Sequence, residues 1–226
     1  VIYQLVTYPR TASTYLTSIN HAYNIKRNIS VENVCEFFLN RYVLKEDWYY
    51  LDIKRDWKVV DKTNIADKLL FLKQNKIEDN HFSLKVIPDT IESCYYDDLL
   101  SYLNDYKLLT IKRNPYNMFI SYMYQIKTEW KQPHNVNTPI INSLKITEYD
   151  VEDYLQKLSI NREFIKSCNI HYTFNYEKLE EEIPNFFGIT NPLMKISPMN
   201  IDYLSLLSYN SRNIKEMFYD KLASIK

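Results

Sequence analysis

The run Leu5-Val6-Thr7-Tyr8-Pro9-Arg10-Thr11-Ala12-Ser13-Thr14-Tyr15-Leu16 constrains the fold more than any other part of the chain. An apolar, β-favouring stretch enters a short hydroxyl-rich turn carrying one cation. Beyond the turn, Tyr15, Leu16, Ile19 and Tyr23 stand at the spacing of one helical face. A strand feeding a helix through such a turn aims several main-chain N–H groups, and the positive end of the helix dipole, at one spot. That is an anion site. Arg10 adds a full charge, Thr11, Ser13 and Thr14 add hydroxyl donors, and N–H groups from Ala12 to Tyr15 add more. A phosphate or sulfate ester suits this set. The plain alternative is a polar connection with Ser13 as an ordinary N-cap. The phosphate loop of ATP- and GTP-binding proteins is excluded, because it needs Gly-x-x-x-x-Gly-Lys-Ser/Thr and the single glycine here is Gly188.

A second segment has the same logic. Lys107-Leu-Leu-Thr-Ile-Lys-Arg113 reads as a buried strand of a parallel sheet, and Asn114-Pro115 as a helix start with Asn at the N-cap and Pro at the first helical position. Met118, Phe119, Tyr122, Met123 and Ile126 then share one helical face. Arg113 stands at the carboxyl end of a strand, where open α/β sheets bind ligands. Ser121 comes eight residues on, in the first turns of the next helix.

Together the two segments resemble the sulfotransferases that use 3′-phosphoadenosine 5′-phosphosulfate (PAPS). Thr7-Tyr-Pro-Arg-Thr-Ala-Ser-Thr14 is similar to their 5′-phosphosulfate loop, often written Thr-Tyr-Pro-Lys-Ser-Gly-Thr-Thr. Arg113-Asn-Pro-Tyr-Asn-Met-Phe-Ile-Ser121 is similar to their 3′-phosphate motif, an Arg-Asn/Asp-Pro with a serine eight residues after the arginine. The resemblance is specific over these stretches and diffuse elsewhere. The loop glycine of the family is Ala12 here, which is strained if that position needs a positive φ and harmless if it needs only a small side chain. The resemblance implies a PAPS-dependent transfer of a sulfonate group to a hydroxyl or amine by in-line displacement. Arg10 would stabilise the leaving phosphate, and Thr11, Ser13 and Thr14 would bind the 5′-phosphate. Arg113 and Ser121 would hold the 3′-phosphate. Arg10 in a surface ion pair, Arg113 capping a carboxylate and Ser121 as an ordinary helical serine are the alternatives.

Many family members place a histidine just after a strand as the base. The comparable segment here is Lys85-Val-Ile-Pro-Asp89, which lacks it. Lys85 serves the sulfonate or is a surface lysine at a strand edge. Other branches use a glutamate soon after the first helix, and Glu36, flanked by Phe37 and Phe38, matches that place. An apolar setting raises a carboxyl pKa and suits general-base work. Glu36 is therefore favoured over Glu32, His21 and Asp89, its own alternative being a solvated helical position. Asn175-Tyr176-Glu177 resembles the family segment whose aromatic lies near the adenine, so Tyr176 is a cofactor candidate or a core residue. The C-terminal cofactor motif of the family is not visible, and Arg212 is a poor substitute. These departures favour a second reading, a non-catalytic nucleotide-binding or assembly protein that keeps the fold.

The 226 residues suit one domain, 1–226, and the equal numbers of basic and acidic residues, 28 each, argue against a general nucleic-acid binder. The 21 tyrosines, with abundant Lys, Asn and Ile, are the composition of an AT-rich genome and receive no collective role. Three scattered cysteines and four scattered histidines give neither a disulfide framework nor a metal site, and indicate a reducing, cytoplasmic setting. No run is long enough for a membrane span. Strands at 2–7, 82–87, 107–112 and 170–175 alternate with helices at 13–24, 31–43, 64–74, 89–105, 115–128, 150–168, 177–183 and 211–224. The helix at 89–105 is opened by a capping box of Asp89 and Glu92, that at 150–168 is capped by Thr147, and a weak strand lies at 58–60. The alternation predicts an α/β fold, a central parallel sheet with helices on both faces. By resemblance it is of the nucleotide-kinase kind. Residues 131–149 form a polar, mobile loop. The acceptor, a small molecule, carbohydrate or peptide, would bind between that loop and residues 31–60, where Trp48, Tyr49, Tyr50 and Trp57 offer rings or simply core. Oligomeric state is not legible.

Overall fold

A computed structural model describes residues 2–27, 31–34, 38, 65–77, 81–127, 144–189 and 211–225. Its strands are β1 (Tyr3–Val6), β2 (Val31–Val34), β3 (His81–Val86), β4 (Lys107–Lys112) and β5 (Ile170–Asn175). Its helices are α1 (Ser13–Lys26), α2 (Ile65–Ile77), α3 (Tyr96–Leu103), α4 (Pro115–Lys127), α5 (Glu148–Ser167), α6 (Leu179–Phe187) and α7 (Ser211–Ser224). The chain divides into two compact units, Val1–Lys112 with Asn161–Ile196, and Arg113–Ile160 with Ser197–Lys226.

The first unit holds the sheet. Its five described strands run parallel in the order β2-β3-β1-β4-β5. Strand alternation sends neighbouring side chains to opposite faces, and both faces are apolar because both are covered. Leu5, Leu109, Ile111 and Phe174 meet Tyr15, Leu16 and Ile19 of α1 and Leu179, Ile183 and Phe187 of α6 on one face. Val6, Leu84, Val86 and Leu108 meet Leu69 and Leu72 of α2, Leu99 and Leu103 of α3, and Phe164 of α5 on the other. This is the α/β architecture expected, with helices on both faces. The connection leaving β1 covers one face, and those after β2 and β3 cover the opposite one. The chain therefore changes faces at β1, and open α/β sheets bind ligands beside the carboxyl ends of strands at such a point.

The second unit packs α4, the first part of α5 and α7 around aromatic rings. Phe119 and Phe218 stack at 5.1 Å, and Phe119 meets Tyr154 at 5.2 Å. Asn114 caps α4 as the sequence suggests: its Oδ1 accepts the N–H groups of Tyr116 (2.9 Å) and Asn117 (3.1 Å). Thr147 caps α5, its hydroxyl accepting the Asp150 N–H at 3.3 Å while the Asp150 carboxylate accepts the Thr147 N–H at 2.7 Å.

Two sequence expectations fail. Residues 31–34 are strand, not the start of a helix over 31–43, and pair with β3 from Val31↔His81 to Val34↔Leu84. Valines three apart read as helical, but β-branched side chains also suit a strand, and pairing with β3 decides. Asp89 opens no long helix either. It lies in a 3₁₀ turn, Pro88–Thr90, a second such turn follows at Ser93–Tyr95, and α3 begins only at Tyr96. Residues 58–60 and most of the 131–149 loop lie outside the described residues, although α5 begins inside that range at Glu148. No described helix is long and apolar enough to cross a membrane.

Candidate functional site

The turn after β1 begins with its backbone still tied to the sheet, the Thr7 N–H donating to the Val86 carbonyl at 3.0 Å. It then does something costly. Arg10 has φ +63° and Ala12 φ +56°, and they are the only non-glycine residues with positive φ among those described. Each left-handed L-residue is disfavoured by about 1 kcal/mol. Ala12 thus occupies the strained alternative posed by the sequence. Left-handed residues interleaved with ordinary ones fold successive N–H groups toward a common centre, a concavity that binds anions.

Thr11, between them, fastens the turn from inside. It is 0% exposed. Its hydroxyl donates to the Tyr8 carbonyl at 2.9 Å and lies 3.0 Å from the Thr7 hydroxyl. A hydroxyl has one proton, so Thr7 is the donor of that second bond. The Thr11 proton is thereby committed to the turn itself.

The helix start is equally specific. The Ala12 carbonyl accepts the N–H groups of Tyr15 (3.0 Å) and Leu16 (3.3 Å), which makes Ala12 the N-cap and Ser13 the first helical residue. The plain alternative, Ser13 as the cap, does not hold. Alanine offers no side-chain acceptor, and helix geometry gives the N–H groups of Ser13 and Thr14 no intrahelical one. The Tyr15 N–H, by contrast, is used by the Ala12 carbonyl. Burial, and secondarily the Glu180 carboxylate, push the Tyr15 phenol up.

Lys85 is no surface lysine. It is 3% exposed, lies in register with Leu5, and alternates with Leu84 and Val86, so its side chain takes the α1 side of the sheet. The segment after β3 brings Asp89 to the same edge, where α5 meets it. The Asp89 N–H donates to Asn161 Oδ1 at 3.1 Å, and Asn161 Nδ2 donates to Asp89 Oδ1 at 2.9 Å. Burial pushes the Tyr8 phenol up, while the charge of Arg162, the next residue of α5, pulls it down.

Sequence reading missed Asn161. One signal was present: Asn161 falls on the stripe of Tyr154, Leu155, Leu158 and Ile165, and a polar residue at a core position calls for a partner.

Arg113 and Ser121 belong to the other unit, Arg113 directly after β4 and half-buried, Ser121 within α4 and 3% exposed. The strand that Arg113 follows is the sheet neighbour of β1, with Leu5 opposite Leu109. Tyr176 begins a 3₁₀ turn after β5 and packs half-buried against the α1 and α6 side of the core. Glu36 and the side chains of Thr14, His21, Glu32 and Arg212 lie outside the described residues. Among the described residues no group of three or more His, Cys, Asp or Glu is placed to hold a metal ion. Compared with models of known protein families and with curated proteins, the chain matches none.

Proposed function

We propose that this chain is a sulfotransferase that moves a sulfonate group from PAPS to a hydroxyl or amine acceptor. One observation carries the reading. The turn after β1 holds two non-glycine residues left-handed and leads into a helix start without a side-chain cap, where the sheet changes faces. Strain of this kind persists where it arranges a site. The arrangement fits an oxyanion, and the resemblance of residues 7–14 and 113–121 to the two PAPS motifs says which one.

The donor, when bound, supplies a sulfonate whose bond to the 5′-phosphate breaks as the acceptor oxygen or nitrogen bonds to sulfur. Arg10 neutralises charge gathering on the departing phosphate, a task suited to a guanidinium fork. The N–H groups of Ala12, Ser13 and Thr14 and the Ser13 hydroxyl hold the 5′-phosphate. Thr11 contributes by keeping the turn in shape. Lys85, at the base of the turn, is assigned to the sulfonate. Arg113 and Ser121 take the 3′-phosphate, and Tyr176 the adenine side. The acceptor proton is assigned to Glu36.

Calorimetric titration with adenosine 3′,5′-bisphosphate and with adenosine 5′-monophosphate tests the reading. The wild-type chain should prefer the bisphosphate, and Arg113→Ala should remove that preference. Losing charge-assisted hydrogen bonds worth about 1.5–3 kcal/mol weakens bisphosphate binding by roughly 10- to 150-fold. Equal losses for both nucleotides would contradict the assignment. A labelled-donor screen of phenols, sugars and peptides then identifies the acceptor.

A further inference from the structure

We draw no further inference here: the strongest candidate, the wholly buried side-chain amide of Asn24 near the end of α1, has no hydrogen-bond partner on its nitrogen or its oxygen among the described residues, but nothing in the structure shows what would pair with it.

Discussion

Two places in the first unit bend the backbone into the left-handed region, and they do it with different residues. At the end of α6 the chain uses its only glycine: Gly188, at φ +62°, lets the Ile189 N–H reach back to the Pro184 carbonyl at 2.9 Å and close the helix. In the turn after β1, Arg10 and Ala12 take nearly the same φ with a Cβ in place. The cap is relaxed and the turn is strained. Strained non-glycine residues persist where the surrounding structure over-determines them, and they cluster at binding sites. A binding turn keeps its strain when the residue that would relieve it removes something needed. At position 10 that something is a charge.

Arg10→Gly breaks or sharpens this comparison most strongly. Glycine removes the strain and the guanidinium together, so stability and binding should move in opposite directions. Bisphosphate affinity should fall by about 10- to 150-fold, the cost of losing charge-assisted hydrogen bonds, and sulfonate transfer should disappear. Stability should hold or rise by up to about 1 kcal/mol, since relief of strain is partly offset by a more flexible unfolded chain. Arg10→Ala keeps the left-handed cost and loses only the charge. The difference in urea midpoint between the two variants therefore reports the strain less the added freedom of the unfolded glycine chain. A glycine variant clearly less stable than the alanine one would mean the turn is not strained at residue 10, and retained transfer would take Arg10 out of the site.

How much of this was legible in the sequence depended on whether the cause was local. The strand-turn-helix at residues 3–26 and the cap at Asn114-Pro115 were readable, because apolar runs, helical spacing and capping chemistry are properties of neighbours in sequence. The parallel sheet followed from the alternation. Val31–Val34 was not readable as a strand: four residues carry too little pattern, and only pairing with β3 settles them. The backbone of Ala12 was posed as a choice between strain and small size, and no residue type could decide it. Asp89 looked like a helix cap because its real partner, Asn161, lies far along the chain.

Gly188→Ala tests the relaxed side of the comparison. A Cβ built there meets no atom within 4 Å, so the substitution has no clash and reports the backbone cost alone. Stability should fall by about 1 kcal/mol, which lowers the melting temperature by roughly 2–4 °C in a chain of this size. Bisphosphate affinity should not change. A variant as stable as wild type would show that a left-handed residue costs little here, and strain at the turn would then be too small to need a reason.

Ala12→Gly has the smallest expected effect and separates two explanations of the same residue. A chain with one glycine in 226 residues could carry alanine at position 12 through its composition alone. Relief of about 1–2 kcal/mol of left-handed strain is opposed by about 0.4–1 kcal/mol of added freedom in the unfolded chain, leaving a gain of between nothing and roughly 1.5 kcal/mol. Binding is the sharper readout. If alanine holds the turn in its anion-binding shape before the ligand arrives, glycine loosens it, and the cost of ordering falls on the complex. The variant should then bind the bisphosphate a few-fold more weakly while resisting urea at least as well. A gain in stability with unchanged affinity would make Ala12 a product of composition, and would leave Arg10 as the residue whose strain serves the site.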